Sequence, residues 1–391
     1  MGKLTKTARL RAIAFGTGLL AAAPSYATTF TPLASGLNNS LEISAVVGTT
    51  AYGTTLYGGK GANGGAGTLF AVTSRGKVVP LHNFVAATEG SQPNDMLAVD
   101  PQGNVYGTTQ GGGTYGGGTI YEFTAAHTLK VLHAFDATVG DGATPLQGLV
   151  RSSTGALFGA AAGGATSTNG NVFQITSTGG YVTRYRFLSE GDGHCPFSSV
   201  AVDSKGNVYG TVVGNGFGGD PNGAVWKLSM QNKLTPIHLF GDGLNGLPDG
   251  EYPDQAPVVD AAGNVYGTSM IMSGSDYAGV VWKIDTKGTF SIIHQFTGMA
   301  DGFGPNGPLM MNTDGNLYGT TVSGGGTTAN PGYGTVFQLT PAGVFKTIYT
   351  FSGTDGSNPT GTLAHDSTGA IYGATTGNSG GTGGTVYKIT P

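Results

Sequence analysis

The sequence has a single cysteine, little charge and only one long apolar run, and each of these shortages excludes a class of protein. Cys195 is the only cysteine among 391 residues, so no intrachain disulfide can form and stability has to come from packing. Charged residues make up 10% of the chain, with 18 Lys and Arg against 22 Asp and Glu. Outside the first residues the basic side chains form no cluster. We therefore expect no binding to nucleic acid or to anionic lipid.

The one apolar run lies at the N-terminus and has the form of an export signal. Four basic residues precede the segment AIAFGTGLLAAA, and the small residues of SYA at 25–27 follow it. This order predicts a signal peptide at residues 1–27, cleavage after Ala27, and a secreted or periplasmic protein. The run is too short to span a membrane comfortably, so no span is expected in the mature chain. Cleavage changes the formal charge from -4 to -8, because it removes four basic and no acidic residues: Lys3, Lys6, Arg9 and Arg11.

Glycine is abundant, at 72 residues, and it accompanies a phrase that recurs along the chain. GNVYGTT stands at 103–109 and returns with small changes, from TAYGTT near the start of the mature chain to GAIYGAT near its end. Successive copies are 51 to 57 residues apart. This period indicates one supersecondary unit per repeat, because such units need neighbours to cover their apolar faces. The aromatic residue of the phrase occurs seven times: Tyr52, Tyr106, Phe158, Tyr209, Tyr266, Tyr318 and Tyr372.

Each repeat is predicted to contain four β-strands, which we call A to D in chain order. In the second copy they are MLAVD at 96–100, NVYGTT at 104–109, GTIYEFT at 118–124 and LKVLHAF at 129–135. All four are rich in β-branched and aromatic residues and are bounded by Gly, Asp or Asn. The aromatic residues, including Trp226 and Trp282 on strand C, are predicted to form the core between neighbouring sheets. The glycine runs between strands B and C are predicted loops, and no helix is expected.

The number of strands predicts a closed ring. Strand C recurs seven times but strand D only six, because the chain stops at YKITP directly after a C strand. The missing D strand is predicted at TTFTPL, residues 28–33, ahead of the first A strand. The sequence therefore predicts an all-β fold over residues 28–391. This fold is a seven-bladed β-propeller of four-stranded antiparallel blades, closed by an N-terminal strand that completes the last blade. A β-helix or horseshoe solenoid would need shorter coils.

Four phrases together resemble a known family. GNVYGTT, GGGTYGGGTIYEFT, VLHAF and DGATP are similar to the repeats of the GloVer tandem-repeat proteins, exported bacterial proteins grouped as "choice-of-anchor tandem repeat" proteins. The resemblance extends over nearly the whole mature chain. It implies a propeller and export, and it implies no particular activity and no catalytic residues.

Two recurring polar residues are predicted to be structural. An aspartate three residues before the glycine of the A-to-B hairpin can accept backbone N–H bonds and stabilise the turn. A histidine two residues before the strand D phenylalanine recurs in four different blades, too far apart to share one metal ion, and is predicted to pack between blades. We therefore expect no metal and no cofactor. These residues are Asp100, Asp203, Asp260 and Asp366, and His82, His133, His238 and His294.

One face of the propeller departs from its own repeat. The D-to-A loop usually reads Asp-Gly-x-x-Pro with small or polar middle residues, but two copies read DGHCP at 192–196 and DGEYP at 249–253. These loops lead into blades 4 and 5, whose B-to-C loops emerge on the same face and carry further acidic and tyrosine residues. Such side chains transfer protons or hold polyhydroxylated ligands, although ordinary loop variation would give the same pattern. The candidate ligand-binding residues are His194, Asp220, Glu251, Tyr252, Asp276 and Tyr277.

Two functions remain open from the sequence. The first is an exported, non-catalytic module that binds a glycan, a cell-surface polymer or a protein on this face. The second is an extracellular polysaccharide-degrading enzyme, either a lyase or a glycoside hydrolase, with the same residues as acid and base. The propeller fold serves both. We favour the binding module, acting as a monomer, because the sequence contains no complete catalytic constellation.

Overall fold

The computed structural model describes most of the chain from Thr28 onward. The predicted signal peptide at 1–27 lies outside the described residues, as do several loop segments. The described residues are 28–37, 41–59, 65–94, 96–163, 170–188, 192, 196, 198–213, 222–241, 249–270, 278–326, 332–377 and 384–390.

Seven antiparallel sheets form the blades, numbered here in chain order, and strands that follow one another in sequence pair in the sheet. The strands of blades 1 to 3 are β2 (Leu41–Val47), β3 (Thr50–Thr55), β4 (Thr68–Val72) and β5 (Val78–Asn83); β6 (Ser91–Pro93), β7 (Ala98–Val99), β8 (Val105–Gly111), β9 (Thr119–Phe123) and β10 (Leu129–Ala134); and β11 (Val150–Arg151), β12 (Leu157–Ala161), β13 (Asn171–Ile175) and β14 (Tyr181–Arg186). The strands of blades 4 to 6 are β15 (Ala201–Val202), β16 (Val208–Val212), β17 (Ala224–Leu228) and β18 (Leu234–Leu239); β19 (Val258–Val259), β20 (Val265–Ser269), β21 (Val280–Ile284) and β22 (Phe290–Gln295); and β23 (Met310–Met311), β24 (Leu317–Thr321), β25 (Thr335–Leu339) and β26 (Phe345–Thr350). Blade 7 contains β27 (Pro359–His365), β28 (Ile371–Thr375), β29 (Gly384–Thr390) and β1 (Thr29–Leu37).

The N-terminal strand closes the ring as the sequence predicts. β1 runs antiparallel to β29, with Thr29 opposite Thr390 and Phe30 opposite Ile389. The Phe30 ring stacks on Tyr349 of blade 6, with ring centroids 4.0 Å apart. The first strand of the described chain is therefore the outer strand of the last blade.

Seven apolar clusters, each shared by two adjacent blades, form the core of the ring. One of them joins blade 1 to blade 7 through Phe70 and Tyr372, so the ring of apolar contacts is continuous. Trp226 and Trp282 are fully buried in these clusters. The prediction that they are core residues is confirmed.

The glycine of the recurring Tyr-Gly phrase is explained by the strand C aromatic of the same blade. A Cβ atom added to Gly53 would lie 2.8 Å from Phe70, and one added to Gly159 would lie 2.5 Å from Phe173. Real Cβ atoms essentially never come this close to a neighbour. The phrase therefore recurs because each blade places a large ring directly over the strand B backbone.

The hairpin aspartates stabilise turns, as predicted. Asp100 Oδ1 accepts hydrogen bonds from the backbone N–H groups of Gln102 and Asn104, at 2.9 and 2.8 Å. Its Oδ2 accepts hydrogen bonds from the Asn104 side chain and from the Tyr106 hydroxyl. Burial raises the pKa of Asp100, but these hydrogen bonds outweigh burial and hold the pKa below its ordinary value. The same bonds from the asparagine and the tyrosine recur at Asp203 and Asp260.

The strand D histidines pack between blades, as predicted, and also fasten the following loop. The His133 ring stacks on Tyr181 of the next blade at 3.7 Å, and its Nε2 lies 2.8 Å from Asp141 Oδ2. The other Asp141 oxygen accepts the backbone N–H of Asp136. In blades 3 and 6 a tyrosine takes this place, and its hydroxyl donates to Asp192 or Asp355.

These histidines make the fold sensitive to mild acid. Burial lowers the pKa of His133 and His294, although Asp141 and Asp301 partly oppose that shift. The folded chain therefore favours neutral imidazole, whereas the unfolded chain takes up protons near the ordinary pKa of 6.5. Stability is complete above that pH and is lost as the pH falls below it. We expect the melting temperature measured by circular dichroism to fall between about pH 7 and about pH 5.5.

The chain provides its own control for this pH dependence. Because tyrosine occupies the same position in blades 3 and 6, the double variant His133→Tyr/His294→Tyr keeps a donor for Asp141 and offers one to Asp301 while removing the two titrating groups. We expect its melting temperature to change less over that pH range than that of the unmodified chain. An identical pH profile in the two proteins would show that these histidines are not responsible.

The inner strands are shorter than the sequence predicts. In blades 3 to 6 they span two residues, and in blade 2 the inner strand is divided into β6 and β7. Near the axis, backbone groups bond to neighbouring blades instead of their own sheet. The Leu149 N–H donates to Met96 O at 3.0 Å, and the Leu97 N–H donates to Ser44 Oγ at 3.1 Å.

A single turn of 3₁₀ helix, Ala137–Val139, corrects the prediction that the chain has no helix. The Asp136 side chain accepts the N–H of Thr138 at 2.9 Å, and Gly140 ends the turn with a φ of 73°. The turn lies in the D-to-A loop between blades 2 and 3. Across the described ranges, no helix is long and apolar enough to cross a membrane.

Candidate functional site

The B-to-C and D-to-A loops emerge at one end of the blades, which we call the loop face, and the hairpins emerge at the other end, the hairpin face. In the five D-to-A loops where the structure describes it, the residue before the proline adopts a positive φ, for example 54° at Thr144 and 51° at Tyr252. Its N–H donates to a carbonyl at the start of strand C in the preceding blade, as Tyr252 does to Asn222 at 3.0 Å. This backbone bond fixes where each D-to-A loop lies on the loop face.

Two of the six predicted site residues lie in the described part of the chain, and both are on the loop face. The Glu251 N–H donates to Met270 O at 2.7 Å, which joins the D-to-A loop to the B-to-C loop of blade 5. The Tyr252 side chain is 40% exposed. Four predicted site residues lie outside the described residues: His194, Asp220, Asp276 and Tyr277.

The backbone conformation of Tyr252 is strained. Positive φ values suit glycine, and Gly304 occupies the same loop position in blade 6 with a φ of 67°. A tyrosine in this conformation costs about 1 kcal/mol or more relative to glycine. Gln92, Thr144 and Asn358 adopt the same conformation at this loop position, so the positive φ is a feature of the D-to-A loop and does not by itself mark Tyr252 as functional.

The exposed aromatic side chains of the described residues all lie on the loop face. They come from blades 1, 2, 5 and 6, in B-to-C or D-to-A loops, and Tyr115 lies near the outer strand of blade 2. On the hairpin face the exposed large apolar side chains are aliphatic, as at Met230 and Val344. The aromatic residues are Tyr57 (53% exposed), Tyr115 (62%), Tyr252 and Phe303 (49%).

A cavity of about 340 Å³ lies on the axis at the loop face. The loop-facing ends of strands A and B from six blades line it, and the lining is dominated by carboxamides. Glu42 is the carboxylate among the lining residues, and Leu56, Leu146 and Pro308 provide apolar surface. The lining carboxamides are Asn94, Gln110, Gln147, Gln255 and Asn306.

Hydrogen bonds hold at least one end of each lining carboxamide, and they hold both ends of Asn94 and Gln147. Asn94 Oδ1 accepts from Gln110 Nε2 at 2.8 Å, and Gln147 Oε1 accepts from the Ser199 N–H at 3.0 Å. On the other side of the cavity, Gln255 Nε2 donates to Asn306 Oδ1 at 3.2 Å. The side chains are therefore oriented before any ligand arrives, which lowers the entropic cost of binding.

Asp254 is the titratable group beside this cavity with a clearly shifted pKa. Burial raises the pKa of its carboxyl group above the ordinary value, and a hydrogen bond from the neighbouring Gln255 only partly opposes that shift. A carboxyl group with a raised pKa is suited to proton donation.

A second cavity, of about 310 Å³, lies between blades 4 and 5 on the hairpin face. Asp203 and Asp285 line it, but their oxygens already accept hydrogen bonds from the hairpin backbone. This cavity contains none of the predicted site residues. Elsewhere in the described ranges, no three His, Cys, Asp or Glu residues lie close enough together to hold a metal ion.

The carboxamides of the axial cavity were not predicted from the sequence. For all of them except Gln110, the signal is a polar residue directly after the proline of the D-to-A loop or one residue later, as in PN at 93–94, PLQ at 145–147, PDQ at 253–255 and PN at 305–306. Each looks like an ordinary loop residue. Only the closed ring brings residues from repeats some 50 positions apart to one point.

Several solved structures are similar in fold to the chain. No curated protein sequence matches the chain. Among solved structures, it is similar to a gluconolactonase from Xanthomonas campestris, with 11% identity, a TM-score of 0.48, and coverage of 93% of this chain and 89% of that one. It is also similar to puromycin hydrolase, with 8% identity, a TM-score of 0.50, and coverage of 87% of this chain and 50% of that one. Identities this low concern the fold alone.

The repeats themselves identify the family. A family model described as the Gloeobacter/Verrucomicrobia repeat matches twice, at residues 22–218 and 196–391. Together the two matches extend from the end of the predicted signal peptide to the last residue, which confirms the resemblance inferred from GNVYGTT and its companion phrases. The chain belongs to the Gloeobacter/Verrucomicrobia repeat family.

Proposed function

We propose that this protein is an exported, monomeric binding module that holds a polysaccharide on its loop face without cleaving it. The observation that carries the proposal is that the exposed aromatic side chains of the described residues are confined to that face, which also contains a cavity lined by carboxamides. An exposed tyrosine or phenylalanine ring offers a rigid apolar surface at a low cost in conformational entropy. The C–H face of a sugar ring can pack on such a surface.

The polar groups of the loop face suit the hydroxyl groups of a sugar. A hydroxyl group both donates and accepts hydrogen bonds, and a carboxamide offers one group of each kind. The low charge of the chain also favours a neutral polymer over a nucleic acid or a lipid surface.

A retention assay tests the binding proposal. The chain from Thr28 is incubated with insoluble cellulose, chitin, xylan, mannan and β-1,3-glucan, and the protein remaining in solution is measured together with new reducing ends. We expect retention on at least one polymer without new reducing ends. Recovery of all the protein in solution with every polymer, at concentrations up to about 1 mM, would contradict the proposal.

Replacing Tyr252 should separate binding from stability. Tyr252→Gly removes the exposed ring and relieves the positive φ, so we expect an unchanged or higher melting temperature. Loss of the ring contact should weaken retention roughly fivefold. Val344→Ala, which removes an exposed apolar side chain on the hairpin face, is the matched control and should bind normally. Full retention by Tyr252→Gly would place the bound polymer away from this residue.

The second candidate function, a polysaccharide-degrading enzyme, is favoured by Asp254. Its raised pKa would favour the protonated form that a general acid needs. On this hypothesis the retention assay yields new ends, and Asp254→Asn or Glu251→Gln removes them. Turnover that survives both substitutions would exclude these carboxylates as the acid and base.

A further inference from the structure

The polar groups around the axis bond differently on the two sides of the cavity. On one side, threonine hydroxyls of strand B join adjacent blades. Thr54 Oγ1 donates to Asn94 O at 3.0 Å, and Thr108 Oγ1 donates to Gln147 O at 3.3 Å. Thr211 Oγ1 donates to Gln255 O at 3.3 Å.

On the side of blades 5 to 7, the corresponding hydroxyls have no partner. Thr268 and Thr320 stand at the same strand B position, with exposures of 1% and 2%, and their Oγ1 atoms make no hydrogen bond within the described residues. The same is true of Thr362 Oγ1 on the inner strand of blade 7. The Thr320 hydroxyl lies beside Gly307, whose neighbour is Gly361 of the cavity lining. A buried hydroxyl without a partner is costly, but none of these three residues lines the cavity, so their hydroxyl groups mark a difference between the two sides of the axis and are not ligand-binding groups.

The cavity lining offers free hydrogen-bonding groups on the same side. Gln255 Nε2 bonds to Asn306 Oδ1, but Gln255 Oε1 and Asn306 Nδ2 make no hydrogen bond within the described part of the chain. An acceptor and a donor are thus held side by side, which matches two neighbouring hydroxyl groups of one ligand. Among the described lining residues Glu42 is the carboxylate and carboxamides predominate, so the chemistry suits a neutral ligand.

The position of the cavity decides which part of a polymer can enter it. It lies on the axis at the loop face, with the crowded inner strands around it, and its volume of about 340 Å³ is at the small end of the range for ligand sites. A chain lying across the face reaches only the mouth of the cavity and the loops of the face, where Tyr252 is exposed. A chain that enters end-on places its last residue among the carboxamides.

We propose that the axial cavity binds the terminal residue of a neutral polysaccharide chain, so that the protein recognises chain ends. Gln255 and Asn306 bind neighbouring hydroxyl groups of that residue, and the exposed aromatic side chains contact the residues that follow. This inference rests on the proposed polysaccharide binding and adds the part of the polymer that is recognised.

The number of chain ends is the variable that tests this inference. The polymer retaining the most protein is partially hydrolysed with dilute acid and washed, which multiplies chain ends without changing the repeating unit. We expect the amount of protein bound per milligram to rise in proportion to the ends, measured as reducing sugar. Binding that stays constant per milligram while ends increase would overturn end recognition and leave the proposed binding intact. No retention before or after hydrolysis would overturn both.

Substitutions of cavity residues test whether the polymer binds inside the cavity or only on the loops around it. The double variant Gln255→Ala/Asn306→Ala should weaken binding to hydrolysed polymer about tenfold or more, because it removes both free groups. Gln231→Ala, an exposed glutamine on the hairpin face, should bind normally. As a softer change, Asn306→Asp keeps the shape and replaces the donor with an acceptor, so it should also weaken binding. Normal binding by a folded Asn306→Asp protein would overturn the assignment of this residue.

Discussion

A chain that begins at Asn38 instead of Thr28 is expected to lose most of its stability. The deletion removes β1, which leaves β29 as an exposed edge and uncovers the site where Phe30 packs against Tyr349 and Tyr387. Loss of the Phe30 ring alone should cost about 3 kcal/mol, and each lost backbone hydrogen bond about 1 kcal/mol. The total is similar to the whole stability of many proteins, about 5–15 kcal/mol. Thermal unfolding and limited proteolysis of the two chains measure the difference.

A peptide with the sequence TTFTPLASGL, residues 28–37, should restore the truncated chain in trans. Strand addition to an exposed edge supplies the same backbone pairs, although association costs entropy that the covalent chain avoids. The Phe30→Ala peptide is the matched control and should restore stability less well. If the chain from Asn38 melted at the same temperature as the chain from Thr28, β1 would not be the element that closes the ring.

The closure of the ring was predictable from the sequence because it requires only the number of strands of each kind. Six D strands and seven C strands leave one blade incomplete, and the only unassigned strand lies at the other end. The short inner strands were not predictable in this way. Their residues alternate like ordinary strands, but near the axis the backbone N–H of Leu149 bonds to the neighbouring blade. Near the axis, the hydrogen-bond partner of a backbone group depends on how closely the seven sheets pack. The sequence of a single repeat does not specify that packing.

The candidate site was predictable only in part, for a related reason. Departures from the Asp-Gly-x-x-Pro pattern point to Glu251 and Tyr252, and both lie on the loop face. The positive φ of Tyr252 accompanies a backbone hydrogen bond to Asn222 in the preceding blade, so the loop sequence alone does not predict it. The pairing of Gln255 with Asn306 joins residues of two repeats and exists only in the folded ring.

The Gly267→Ala variant is expected to be strongly destabilised although it adds only one methyl group. A Cβ atom at Gly267 would lie 2.7 Å from Trp282 Cη2 and closer still to Cζ2. The indole cannot move away, because Trp282 is fully buried with Phe240 and Phe290 packed around it. Overpacking of this kind typically costs about 1–3 kcal/mol, and we expect the upper part of that range. Chemical denaturation measures the loss in the free energy of unfolding, provided that this free energy depends on denaturant concentration with the same slope in both proteins.

A double-mutant cycle shows whether the ring above the glycine is the cause. Trp282→Leu removes the ring and should itself cost several kcal/mol, about 3 or more. In that background Gly267→Ala should cost little, so the two changes should be far from additive. Gly180→Ala, on an exposed turn with 3.3 Å to its nearest neighbour, is the control and should change stability by less than about 0.5 kcal/mol. Additive losses in the cycle would mean that backbone contacts, and not the aromatic ring, are the reason that this position of the Tyr-Gly phrase requires glycine. A large coupling would mean that each blade requires glycine so that its strand C aromatic can lie on strand B.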